Sequence, residues 1–351
     1  WKLPRYSWRK TPAQGVKMND SNSSEDTRFS SQWVNLSLEQ LGARVLFASD
    51  DFFAEKENLL KPGRGVFIPD KYTERGKWMD GWESRRKRVA GHDHCIVRLG
   101  LAGVLKGLDI DTNHFLGNHP PFASVEACYS EKDATDSSDW VEILPKSFLG
   151  PGMQNLFQIH DQRPFNHLRL HIYPDGGVAR LKAYGEVHVD PDHFSKGGEF
   201  DLAAMVNGGR VLACNDMFFS SRDNLIIPGR GINMGDGWET RRRRIPGNDW
   251  LILKLGKEGV VQRAVVDTLH FKGNFPDGCS LEAARVNPDE EEGLILENLD
   301  WTPLLSRVPL QADREHEFSG ELLDIGPVTH IRLSIYPDGG IGRLRLFGMP
   351  S

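Results

Sequence analysis

The sequence predicts an all-β chain built as two tandem jelly-roll-like β-sandwich domains, and three observations carry that expectation. Blocks of residues recur in one order in the two halves, apolar and polar residues alternate at period two in many segments, and Pro-Asp-Gly-Gly turns join such segments. The repeat is explicit. Arg44-Val-Leu-Phe-Ala-Ser-Asp-Asp-Phe-Phe53 returns as Arg210-Val-Leu-Ala-Cys-Asn-Asp-Met-Phe-Phe219, and Pro62-Gly-Arg-Gly65 returns as Pro228-Gly-Arg-Gly231, both 166 positions on. Gly81-Trp-Glu-Ser-Arg-Arg-Lys-Arg88 matches Gly237-Trp-Glu-Thr-Arg-Arg-Arg-Arg244 at an offset of 156, so the first copy carries 10 extra residues around Lys71-Tyr-Thr-Glu-Arg75. Asp111-Thr-Asn-His-Phe-Leu-Gly-Asn118 pairs with Asp267-Thr-Leu-His-Phe-Lys-Gly-Asn274 at 156, and His167–Gly177 with His330–Gly340 at 163. Units of roughly 150 residues are whole domains rather than solenoid repeats.

Taken in order, residues 1–28 are polar and basic and are expected to be a disordered tail, outside either copy. The first copy is placed at 29–187, a polar Gly-ended linker at 188–198, and the second copy at 199–351. Leu36–Leu41 and Phe200–Val206 are the two segments expected to form short helices. His94–Leu99, Gly259–Asp267 and His330–Tyr336 are apolar, β-branched and bounded by Gly, Asn or Pro, as strands are. Tyr-Pro-Asp-Gly-Gly then turns the chain into a further strand such as Gly342–Phe347.

Composition narrows the function classes. With 39% hydrophobic and 26% charged residues in 351, the chain is an ordinary globular protein with a sizeable core. The 43 basic against 49 acidic side chains give −6, and the basic tail leaves the body more acidic still, which argues against nucleic acid as a partner. Apolar runs such as Ala203–Val206 are far too short to span a bilayer, and the N-terminus has no apolar signal core. A start without Met points to a processed or truncated end. Cys95, Cys128, Cys214 and Cys279 form no Cys-x-x-Cys pair, and none has a cysteine counterpart in the other copy. They are expected to be buried thiols of a cytoplasmic protein, and a cysteine nucleophile shared by both copies is excluded.

The duplication serves as an internal control on chemistry, since a polar residue present in both copies has a shared fold role or a shared site role. Asp80–Arg88 and Asp236–Arg244 concentrate acids, a tryptophan and guanidiniums within nine positions. In an extended segment Trp82, Ser84 and Arg86 face one way and Glu83, Arg85 and Lys87 the other. Two readings stand side by side: an arginine fork with a proton-exchanging glutamate, or an ion-pair ladder with tryptophan as a core anchor. Asp111 with His114, and Asp267 with His270, follow a strand and either converge on a ligand or cap a loop. As a metal signal such a pair is weak. Lys272 has Leu116 as its counterpart in the other copy, so the fold does not require a cation there. His92-Asp-His94 becomes Asn248-Asp-Trp250 and is taken as incidental. Asp50 and Asp216, beside paired phenylalanines, are ligand contacts or turn caps. Pro-Gly-Arg-Gly lacks the Lys-Ser/Thr of a phosphate loop, and no nucleophile elbow occurs.

These blocks resemble the allantoicase (allantoate amidinohydrolase) family from Phe29 onward in both copies. The most specific pieces are Gly76–Arg88, Met234–Arg243, Asp267–Asn274 and the two Tyr-Pro-Asp-Gly-Gly turns. The resemblance implies a repeated jelly roll, allantoate as small-molecule substrate, urea and ureidoglycolate as products, and a homo-oligomer. On that footing Glu239 or Glu83 is expected to protonate the departing urea nitrogen. Asp267 with His270, or Asp111 with His114, would accept a proton from the other ureido nitrogen or from water. Arg241, Lys272, Asn274, Trp238 and Asp216, or Arg85, Trp82 and Asp50, would hold the substrate. Elimination of urea followed by water addition is the expected route, with water attack on a ureido carbonyl as the alternative. No cofactor is expected, and Asp267 and His270 are the ligands to examine should a divalent ion be required. Lys272 inclines the expectation toward the second copy, while the extra segment Lys71–Lys77 gives the first copy a candidate lid. The competing class is a carbohydrate-binding or catalytically silent tandem jelly roll, with Trp82 and Trp238 as stacking platforms.

Overall fold

A computed structural model describes residues 29–287 and 296–351. The expected N-terminal tail lies outside the described residues. Each half folds into an eight-stranded antiparallel sheet with the same strand order, so the chain is two tandem β-sandwiches. In the first repeat the order is Val34–Asn35, Arg180–Val187, Asp93–Asp111, Pro164–Tyr173, Phe122–Cys128, Val141–Phe148. In the second it is Phe200–Asp201, Arg343–Pro350, Asp249–Asp267, Val328–Tyr336, Gly278–Ala284, Thr302–Pro309.

The central strand of each repeat has 19 residues, longer than the separate short strands read from the sequence. Its two halves serve different neighbours. Up to Arg98 the first-repeat strand pairs with Pro164–Tyr173 and Arg44–Ala48; from Gly103 on it pairs with Arg180–Val187 and then Leu156–Gln158, with Pro164 and Phe165 still opposite Val104 and Gly103. The register breaks between Phe165 and His167, where the strand turns the corner between layers. Gly103 is required at that corner, since a Cβ there would lie 2.4 Å from the Glu186 carbonyl oxygen, and Gly259 repeats the situation against Met349 at 2.5 Å. The corner glycines are why periodicity showed only fragments of one continuous strand.

The Leu36–Leu41 helix is reduced to a single 3-10 turn, Glu39–Leu41. The Phe200–Val206 helix is corrected: Phe200–Asp201 is an edge strand, and only Met205–Asn207 turns. The sheets need that edge, and the Asp201 carboxylate accepts the Leu346 N–H at 2.9 Å. Trp82 and Trp238, with no exposed surface, share one apolar core that runs through both repeats. Cys95, Cys128 and Cys279 are buried, Cys214 is half-buried, and all four are free thiols. No helix among the described residues is long and apolar enough to cross a membrane.

Candidate active site

The repeated blocks meet at one end of each sandwich, and the turn Tyr-Pro-Asp-Gly-Gly gathers them. In the first repeat Gly177 pairs with Glu83 across a two-residue ladder, and its N–H donates to the Asn118 carbonyl at 2.8 Å. Phe115, fully buried, packs closely against this turn: a Cβ on Gly177 would sit 2.0 Å from its ring, and one on Gly81 2.7 Å. Asp175 of the turn accepts the Lys87 N–H at 2.8 Å. Phe271, Gly340, Gly237 and Asn274 repeat the construction in the second half.

What this scaffold presents is a glutamate bound by an asparagine. Asn118 Nδ2 donates to Glu83 Oε1 at 2.7 Å, and Asn274 Nδ2 donates to Glu239 Oε1 at 2.5 Å. Burial pushes the Glu83 carboxyl above the ordinary glutamate range, against the opposing pull of the Asn118 amide. Glu83 opens into a cleft of about 460 Å³ that also takes in Phe67, Arg75, Lys77, His114 and Asn118. His114 is in the left-handed region at φ 68° and stacks on Phe67 at 5.5 Å between centroids. His270 takes the same backbone conformation at φ 73°, but its Nε2–H donates to the Gly231 carbonyl at 3.0 Å.

Several of the expected site residues do other work. Trp82 and Trp238 are corrected from substrate contacts to core anchors, since neither has exposed surface and each donates its indole N–H to a backbone carbonyl, of Asp50 and Asp216, at 2.8 Å. Asp50 and Asp216 are turn caps: Asp50 accepts the Phe52 N–H at 3.1 Å and the Arg85 N–H at 2.9 Å, and its other oxygen takes Arg85 Nε at 2.6 Å. Asp216 does the same with Phe218 and Arg241, whose Nε lies at 2.8 Å. Burial pushes both carboxyls up, but the Arg85 and Arg241 forks and the amides outweigh it and hold them below the usual range. Arg85 and Arg241 each pair with a carboxylate while their own side chains stay largely exposed, and Arg85 is not among the residues lining the Glu83 cleft.

Asp111 and Asp267, expected to accept a proton, are each held by an arginine. Asp111, fully buried, is gripped by both nitrogens of the Arg64 fork at 2.8 and 2.9 Å and also accepts the Asn113 N–H. Asp267 holds Arg230 at 3.0 and 3.2 Å and accepts the Leu269 N–H. Neither is hydrogen-bonded to His114 or His270. They anchor the Pro-Gly-Arg-Gly loop, which the sequence offered only as a failed phosphate loop. A second buried pair backs that loop: Arg180 with Asp80 at 2.7 Å, and Arg343 with Asp236 at 3.0 Å. Lys272 is exposed and lies 3.7 Å from Asp313, which also accepts the His270 N–H. Among the described residues, no three His, Cys, Asp or Glu side chains are gathered as a metal ion would require. His92 and His94, read as incidental, contact His171 and Asp136 on the sheet face.

Sequence reasoning missed Asn118, although naming Asn274 in the second copy implied it. It read the segment Lys71–Lys77 as a candidate lid without singling out Arg75 and Lys77, which line the Glu83 cleft.

Fold and site together define a duplicated all-β protein carrying a glutamate–asparagine pair at the same end of each sandwich. The allantoicase repeat matches twice, over residues 34–188 and 200–351. The probable allantoicase of Photobacterium profundum is 53% identical over 321 residues, 91% of this chain and 97% of that one. Probable allantoicase 1 of Burkholderia mallei is 50% identical over 334 residues, 95% and 98% of the two chains. The crystal structure of allantoicase from Saccharomyces cerevisiae superposes with a TM-score of 0.80 at 36% identity, over 93% of this chain and 98% of that one. The chain belongs to the allantoicase family.

Proposed function

We propose that the chain hydrolyses allantoate to ureidoglycolate and urea, and that the chemistry takes place in the cleft of the first repeat. The observation that supports this location is Glu83: a half-buried carboxyl with a raised pKa, oriented by Asn118 and open to a cleft sized for a small molecule. Burial that raises a carboxyl's pKa favours its protonated form, and a proton donor is what a departing urea nitrogen needs.

The products constrain the bond. Urea leaves with both of its nitrogens and a hydroxyl appears on the central carbon, so the bond broken joins that carbon to one ureido nitrogen. Attack on a ureido carbonyl would instead release carbamate and leave an amine. Glu83 gives its proton to the departing nitrogen as the C–N bond breaks, while the lone pair of the remaining ureido nitrogen forms a C=N bond. Water then adds to that carbon and returns a proton to the Glu83 carboxylate. Atoms and charge balance over the cycle, and a single residue acts first as acid and then as base. Asn118 keeps the carboxyl aimed, and His114 on Phe67 closes one wall of the cleft.

The reading also places the protein in the cytoplasm, supported by four cysteines without a disulfide, and assembles it as a homo-oligomer. Exposed Met217, Phe218, Phe219 and Ile232 of the second repeat supply apolar surface for such contacts.

The test is urea release from allantoate in ¹⁸O-labelled water, with and without EDTA. The expected result is urea without label and ureidoglycolate with label on its new hydroxyl. Label in urea overturns the elimination route, and no urea under any condition overturns the function.

A further inference from the structure

The cleft beside Glu83 owes its charge to residues that the second repeat does not have. Fifteen residues separate Gly65 from Gly81, and five separate Gly231 from Gly237. The extra length forms a hairpin, Tyr72–Thr73 paired with Gly76–Lys77, that stands over the cleft. From it Lys77 and Arg75 join Glu83, His114 and Asn118 in the lining.

These two cations are held without being neutralised. Lys77 Nζ donates to the Pro69 carbonyl at 2.9 Å and lies 4.5 Å above the Phe67 ring. Arg75 donates to the Phe52 carbonyl at 3.2 Å, with its guanidinium 5.5 Å over the Phe52 ring. Among the described residues neither has a carboxylate within 4.0 Å. Several other cations differ: Arg85 is on Asp50, Arg64 on Asp111, Arg180 on Asp80, and Lys272 of the other repeat beside Asp313. Carbonyls and aromatic faces orient a cation while leaving its charge available, which is what an anionic ligand requires. Glu83 is the one acid among the described residues of the cleft lining, so Arg75 and Lys77 leave that lining net positive whether or not the carboxyl is protonated.

We propose that Lys77 and Arg75 bind the carboxylate of the substrate, and that this hairpin confines turnover to the first repeat. The carboxylate then lies under the hairpin and a ureido group reaches the Glu83–Asn118 pair. The second repeat keeps Glu239 and Asn274, but its five-residue connection, Ile232-Asn-Met-Gly-Asp236, carries no cation. The inference rests on the reading of Glu83 as the proton donor.

Steady-state urea release by Lys77→Met and Arg75→Met, together with calorimetric binding of allantoate, tests it. Loss of a charged hydrogen bond predicts a KM for allantoate raised roughly 10–100-fold, with kcat changed much less. The KM for the neutral amide of allantoate stays at the wild-type value, and Lys77→Arg restores most of the loss. An unchanged KM for allantoate in both variants, or an equal rise for the neutral amide, overturns the carboxylate anchor. Wild-type protein that binds allantoate, loses that binding in Lys77→Met, and yet releases no urea supports the anchor while overturning the assignment of Glu83.

Discussion

Asn118 binds Glu83 in the first repeat as Asn274 binds Glu239 in the second, 35 positions apart in each case, although the two repeats differ in length elsewhere. The bond survives because each asparagine is fixed twice. Its carbonyl receives the N–H of the Gly-Gly turn, and the turn also pairs with the glutamate's own backbone. Glutamate and amide are thus held by one hydrogen-bonded unit, with a phenylalanine packed against it.

Removing the Asn118 amide has a signed consequence for pH. Burial raises the Glu83 pKa, and the Asn118 N–H opposes it by stabilising the ionised form. Activity requires the protonated acid and falls as pH climbs through its pKa. Asn118→Ala therefore moves the alkaline limb of the kcat/KM profile to higher pH, read from urea release across a pH series. A limb that moves to lower pH contradicts the assignment.

The loop that carries the cleft is braced by Arg180 and Asp80, both more than nine-tenths buried and 2.7 Å apart. Arg180→Met strands the Asp80 carboxylate in the interior, and urea denaturation is expected to show a loss of about 3–5 kcal/mol. Burial raises the Asp80 carboxyl, but Arg180 and the Val66 N–H hold it below the ordinary range, so its contribution is present at neutral pH and lost as pH falls through the folded-state value. The difference between wild type and variant accordingly shrinks in acid.

Much of this was legible in the residues, and the failures have physical causes. Duplication, period-two alternation and the Pro-Asp-Gly-Gly turns identified the architecture, since they are local signals. Glu83, Glu239 and Asn274 stood out within short strings. Partnerships across the chain did not. That Asp111 belongs to Arg64, 47 positions earlier, or Arg85 to Asp50, 35 earlier, follows from how strands are laid side by side. Lys272 drew attention to the second copy because it had no counterpart, yet it is exposed and lies beside an aspartate. The first copy's hairpin, equally without counterpart, places its cations over the cleft.

The most direct test of the account is urea release by Glu83→Gln and Glu239→Gln measured side by side. Glutamine preserves shape and keeps a hydrogen-bonding side chain opposite each asparagine, but cannot give up a proton as a carboxylic acid does. The account predicts that Glu83→Gln loses roughly 10²–10⁴-fold in kcat while Glu239→Gln stays near wild type. Loss in Glu239→Gln with full activity in Glu83→Gln would contradict it and move the chemistry to the second repeat.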